Sequence, residues 1–152
     1  MIEKYRQLFT HLSAARVKGG IAPHKAILLL SVIELIEFDI LKQNRIILST
    51  DIKDAFSYIW KRYIGVSPVF KSDISQPFWY MKSEPFWHLY HVNGSIVRVG
   101  ESKPTLSAFE SGYYAELDQE LYDLLHDMTA RATLRVALIV KYLSRPEDIE
   151  EP

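Results

Sequence analysis

The sequence predicts an α+β fold: one mostly helical, winged-helix-like domain carrying a small antiparallel β-hairpin. Three observations carry this expectation. The chain has 152 residues, the usual size of one domain, with 48% hydrophobic and 24% charged residues and no low-complexity stretch. Long segments repeat apolar side chains at helical spacing. Two short aromatic runs, 77–81 and 86–92, flank a turn-forming stretch.

Taking the elements in order, Ile2, Tyr5, Leu8, Phe9, Leu12 and Ala15 recur at i, i+3, i+4 and i+7, which predicts an amphipathic helix over 2–17, ended by Gly19-Gly20. Pro23 suits the first turn of a second helix, where its missing N–H would have no partner. From Ile27 to Leu41 this helix is apolar nearly all round, with Ser31, Glu34 and Glu37 as a narrow polar stripe, so it is expected to be central and buried.

The segment Arg45-Ile46-Ile47-Leu48, with two β-branched isoleucines, reads as a short strand, and Ser49-Thr50-Asp51 supplies N-cap oxygens for a helix running to Trp60 or Tyr63. Lys82-Ser83-Glu84-Pro85 between the aromatic runs predicts a hairpin turn, with alternation sending Pro77, Trp79 and Met81 to one face and Phe78 and Tyr80 to the other. Asn93-Gly94 is a second turn signal. A short helix from Pro104 to Phe109, a loop at Ser111-Gly112-Tyr113-Tyr114, helical spacing over 117–127 and a last helix over 129–143 complete the domain, 1–144. Residues 145–152, with two prolines and four acids, read as an acidic tail.

Composition excludes several chemistries. Without cysteine there is no disulfide, no thiolate metal site and no thiol nucleophile. The start lacks a basic-then-apolar leader and no apolar run approaches ~18 residues, so neither secretion nor a membrane span is expected and the cytoplasm is the predicted compartment. Net charge is −1, but unevenly placed: residues 1–109 hold 14 Lys/Arg against 9 Asp/Glu, a net +5, and residues 110–152 hold 4 against 10, a net −6. The first part suits a polyanion.

Catalytic groups are hard to assemble. His88 and His91 sit three apart in a predicted strand, on opposite faces, and cannot share an ion; His11 and His126 lack a second ligand at i+4. Glu101-Ser102-Lys103, with Asp73 upstream, formally matches the end of a metal-nuclease signature, but Gly100 and Pro104 mark a turn where rigid strands are needed. No catalytic residue, metal or cofactor is therefore assigned.

Two segments point to binding. Pro23-His24-Lys25 opens a helix whose unpaired N–H groups and dipole favour an anion. In Gln76-Pro77-Phe78-Trp79-Tyr80 only one face of the expected strand can enter the core, which leaves aromatics exposed near Lys71, Lys82 and Lys103. Arg16, Lys18, Lys82 and Lys103 are candidates for phosphate contacts.

The order Lys4-Tyr5-Arg6-x-Leu8-Phe9, Ala22-Pro23-His24-Lys25-x-x-Leu28-Leu29-Leu30, Asn44-Arg45-Ile46, Pro77-Phe78-Trp79-Tyr80-Met81-Lys82-Ser83 and Phe86-Trp87-x-Leu89 resembles the N-terminal domain of HNH-type, type IV restriction endonucleases. Characterised members of that family use it as a sulfur-binding domain that reads phosphorothioate-modified DNA. The resemblance implies a double-stranded DNA partner and a C-terminal nuclease domain in the parent protein, with binding but no cutting by this chain. It places the sulfur pocket on Gln76-Pro77, on His24-Lys25 and on a later tyrosine, Tyr113 or Tyr114; Pro23, Phe78 and Tyr80 are further candidates for contact with DNA or sulfur. Gln76 stands where the family often has tyrosine, which implies a polar edge on the pocket. The competing readings are a general winged-helix DNA binder, a protein-interaction module docking through the aromatic hairpin, and a small nuclease using Glu101.

Overall fold

The computed structural model describes residues 1–17 and 20–144; Lys18 and the acidic tail lie outside the described residues. Its elements are α1 (Ile2–Thr10), β1 (Arg16–Val17), β2 (Gly20–Ile21), α2 (His24–Glu37), α3 (Thr50–Tyr63), α4 (Ser75–Tyr80), β3 (Trp87–His91), α5 (Leu106–Gly112), β4 (Tyr113–Leu117), α6 (Gln119–Leu124) and α7 (Met128–Leu138). A 3-10 turn, Met81–Ser83, continues α4, and a π-helical turn, Ile139–Leu143, continues α7. The α+β expectation holds. No helix among the described residues is long and apolar enough to cross a membrane.

The second helix is central, as its all-round apolarity requires. It buries Lys25 to Val32 without interruption, together with Ile33, Leu35 and Ile36, and packs against α3, α4 and α7. Ser31, expected on a polar stripe, is instead fully buried; its hydroxyl donates to Ile27 O at 2.7 Å, so the helix satisfies it locally. α3 starts where its N-cap was expected, with Ser49 Oγ accepting from Ile52 N.

The first helix is shorter than its periodicity predicts. It ends at Thr10 because Tyr142, on the π-helical turn, takes over the backbone there: its hydroxyl donates to Phe9 O at 2.8 Å and accepts from Leu12 N at 2.9 Å. The chain then extends, and Arg16–Val17 pairs with Gly20–Ile21 in a two-strand ribbon. Gly20 has φ +114°, a conformation that side chains with a Cβ rarely adopt.

The predicted hairpin is corrected. Residues 77–81 do not pair with 86–92; they belong to α4 and the 3-10 turn. Asp73 Oδ1 accepts from Ser75 N at 3.0 Å at the helix start, and Pro77 is the third helical residue, where no N–H is needed. Helical geometry buries Pro77, Phe78, Trp79 and Met81 together and leaves Gln76 and Tyr80, four apart, outward. The second aromatic run does form a strand, but β3 pairs antiparallel with β4, Trp87 opposite Leu117 and His91 opposite Tyr113. Tyr113 and Tyr114, expected in a loop, are thus strand residues. Phe78, Trp87, Phe109 and Trp79 bind α4, β3 and α5 into one aromatic cluster, with centroids 5.1 Å (Phe78–Phe109), 5.7 Å (Phe78–Trp87) and 5.8 Å (Trp79–Phe109) apart.

The expected strand at 45–48 survives as one bridge, Ile46 to Ala115. Its continuation is made by a side chain: Asn44 Nδ2 donates to Leu117 O at 2.8 Å and Leu117 N donates to Asn44 Oδ1 at 2.9 Å. Asn44→Ala strands both backbone groups at the end of β4, and a stability loss of about 1–3 kcal/mol is expected in chemical denaturation. A loss below about 0.5 kcal/mol would show that water replaces the amide.

Candidate functional site

An open cavity of about 540 Å³ lies where the segment after α1, the ribbon, the start of α2, the loop before α4 and α4 itself converge. Ala14, Ala15, Val17, Ala22, Val69, Phe70 and Pro77 give it an apolar wall. His24, Lys25, Gln76, Tyr80, Ser13 and Ser83 supply the polar atoms. Two segments fifty residues apart in the chain, picked out for separate reasons, therefore meet in one concavity. The reason is packing: α2 and α4 lie against each other, so the start of one faces the start of the other.

Pro23 caps α2, accepting from Ile27 N at 3.0 Å, and is buried. His24 is half-buried; its ring lies 4.9 Å from Trp60 and 6.1 Å from Phe70, and Nε2 donates to Lys71 O at 2.7 Å. That bond assigns the Nε2–H tautomer if the ring is neutral and ties the loop carrying Val69 and Phe70 to the helix start.

Lys25 departs from the expectation of an open ammonium poised for an anion. Its side chain is buried, and Nζ sits 2.7 Å from Glu84 Oε2 and 3.1 Å from Ser83 Oγ. Glu84 Oε2 also accepts from Ser13 N at 2.9 Å. The ion pair thus fastens the segment after α1 to the end of the 3-10 turn, holding two walls of the cavity in place. Its charge is already compensated.

Of the α4 residues, Gln76, Pro77 and Tyr80 line the cavity. Phe78 does not: it is fully buried in the aromatic cluster, so its expected place in the site is corrected to a core role. Neither later tyrosine lines the cavity. Tyr113 packs on Phe109 (5.1 Å) and His91 (4.9 Å), while Tyr114 lies between Tyr90 (5.2 Å) and the Arg45 guanidinium (3.8 Å). Tyr80, half exposed, is the tyrosine that reaches the cavity.

Tyr80 and Ser83 are shared with a second, larger groove of about 810 Å³, lined also by Trp79, Lys82, Val99, Glu101 and Lys103. Lys82 Nζ lies 3.7 Å over the Trp79 ring and donates to Trp79 O at 3.2 Å. Burial pulls its pKa below the ordinary lysine value, opposed by Glu101 and aided by Lys25. Glu101 accepts from Arg98 N at 2.6 Å and pairs with His91 Nε2 at 2.8 Å; the Arg98 N–H and then His91 hold its carboxyl below the usual range. Asp73, its suggested partner carboxylate, is occupied at the α4 start. His88 pairs with Asp118 at 2.7 Å, so the histidines of β3 serve separate partners, as the alternation predicts. Arg16 is exposed in β1, next to Val17 of the cavity wall.

Sequence reasoning missed the other walls. Ala14 and Ala15 were assigned to a helix that stops short of them, and Val69 and Phe70 stand in a loop without periodicity. In the sequence Glu84 has the marks of a turn residue. Its burial opposite a lysine 59 positions away leaves no local mark.

No family model matches the chain, and no curated protein does. Solved structures do resemble it. The sulfur binding domain of ScoMcrA complexed with phosphorothioated DNA superposes with a TM-score of 0.69 at 23% identity, over 91% of this chain and 86% of that one. The sulfur binding domain of SprMcrA complexed with phosphorothioated DNA gives 0.68 at 20% identity, over 95% and 86%. A structure of the sulfur binding and SRA domains of ScoMcrA with the same type of DNA gives 0.68 at 24%, over 91% of this chain and 42% of that one. At these identities the likeness establishes the shared fold.

Proposed function

We propose that this chain is a binding module for double-stranded DNA that recognises a phosphorothioate linkage, the reading head of a modification-dependent restriction nuclease whose cutting domain is a separate unit. It acts in the cytoplasm and itself cuts nothing. The observation that carries this reading is the apolar cavity that joins the start of α2 to Gln76, Pro77 and Tyr80. The sulfur binding domains that share the fold, each complexed with phosphorothioated DNA, support it.

A phosphorothioate keeps its negative charge but replaces one non-bridging oxygen by a larger, softer and less hydrated sulfur. Its recognition needs an apolar cup beside an anion-tolerant rim. Pro77, the Tyr80 ring and the alanine wall form the cup. His24 and the α2 N–H groups behind Pro23 form the rim, held in place by Lys25 through Glu84. Arg16, Lys18, Lys82 and Lys103 are assigned to flanking phosphates; Lys82 and Lys103 line the groove beyond Tyr80.

Magnitudes decide what discriminates. Burying about 30 Å² of sulfur surface contributes ~0.8 kcal/mol at ~25 cal/mol per Å², less than tenfold. An ordinary oxygen left without a donor in the same cup costs about 1–3 kcal/mol. In a cup that offers no donor, rejection of oxygen therefore contributes more than attraction of sulfur, and a donor at its edge narrows the preference.

The test is a fluorescence-anisotropy titration of one duplex with and without a single phosphorothioate, over a series of salt concentrations. Tighter binding of the modified duplex, with affinity falling as salt rises, is the expected result. Equal affinity for both duplexes would favour a general DNA binder, and no binding to either a protein-interaction module.

A further inference from the structure

The polar atoms around the cavity are unequally committed. His24 Nε2 is bonded to Lys71 O, Lys25 Nζ to Glu84 and Ser83, and Ser83 Oγ also to Tyr80 O. The Gln76 carboxamide and the Tyr80 and Ser13 hydroxyls have no hydrogen-bond partner among the described residues; of these, Gln76 stands beside Pro77 and alone carries two N–H donors. A carboxamide offers two N–H donors and a carbonyl, so it can serve an oxygen of a bound anion where the alanine and proline wall cannot.

We propose that Gln76 sets the oxygen-against-sulfur selectivity of this cavity: its amide donates to a non-bridging oxygen, so the site accepts a plain phosphodiester as well as a phosphorothioate. This assignment rests on the reading above. An amide donor within reach removes the penalty that would otherwise exclude oxygen, while sulfur, a weaker acceptor, gains little from the same donor. Gln76 is the natural place for such a relaxation because it is outward on α4, four residues from Tyr80, and its side chain supports nothing in the core. Replacing it leaves the aromatic cluster untouched.

The experiment uses the full chain, a duplex carrying one phosphorothioate and the same duplex without it. Wild type is expected to bind the two within about tenfold of each other. Gln76→Leu is expected to widen the ratio by about fivefold or more, the loss falling on the plain duplex. Gln76→Glu, which sets a carboxylate beside the anion, is expected to weaken both. A shared, unchanged ratio in wild type and Gln76→Leu, with the modified duplex still preferred, would overturn the role of Gln76 and leave the sulfur reading standing. If neither protein distinguishes the two duplexes, the sulfur reading itself fails. Far-UV circular dichroism of both variants separates a binding effect from misfolding, and a Gln76→Glu protein that is folded and binds as wild type also overturns the assignment.

Discussion

Lys25→Met should destabilise the protein by about 3–5 kcal/mol, the cost of leaving one member of a buried ion pair without its partner. Glu84 has only 6% of its side chain exposed and would keep Ser13 N as its remaining donor, too little to hold a carboxylate charge. Urea denaturation reads this directly. The double variant Lys25→Met with Glu84→Gln should recover much of the loss, since a neutral amide can still accept from Ser13 N without an unpaired charge. A single-variant loss below about 1 kcal/mol would mean that the pair is wetter than its burial indicates. Because the pair ties the segment after α1 to the 3-10 turn, the single variant should also weaken DNA binding, although Lys25 carries no open charge to the ligand.

His24→Ala and Pro77→Ala address the cavity itself. His24→Ala removes the bond to Lys71 O and the ring between Trp60 and Phe70, so the Val69–Phe70 wall loses its tie to α2. That tie, a net hydrogen bond of about 0.5–1.5 kcal/mol, bounds what re-ordering the wall costs on binding, so a loss of up to about tenfold for the modified duplex is expected. Pro77→Ala removes about two methylenes from the cup, at ~0.8 kcal/mol each, for a loss of up to about fifteenfold. Both losses should be larger on the phosphorothioate duplex than on the plain one. Equal losses on the two duplexes would refute the cup, because a purely electrostatic site has no reason to distinguish them.

The comparison of sequence with structure follows a physical division. Segments whose burial pattern is local were legible: α2, apolar on every side, could only be central, and Ser49 at the start of α3 could be read as a cap from residue type alone. The start of α2 was legible for a similar reason, since a proline directly before a long apolar helical run fits a helix entry. Aromatic runs were not, because a tryptophan or phenylalanine is equally at home in a buried strand and in a buried helix. Residues 77–81 and 86–92 look alike in composition, yet one is helical and the other extended. The difference lies in the partner: Tyr113–Leu117 offers β3 an edge, whereas Asp73 Oδ1 accepts from Ser75 N where α4 begins and a proline early in the helix costs it no bond. The truncation of α1 is likewise owed to Tyr142, 130 positions from the Leu12 N–H it accepts.

By itself the sequence determined the α+β class, the buried second helix, the absence of thiol chemistry and the two segments that meet at the cavity. Tertiary structure alone decided that Lys25 is neutralised by Glu84, that Phe78 faces inward, that Tyr80 and not Tyr113 or Tyr114 reaches the cavity, and that Gln76 is left with an uncommitted amide. Residue type and spacing report what a side chain can do. Which atom is already taken depends on groups brought together from far along the chain, and only the packing of α2 against α4 settles that.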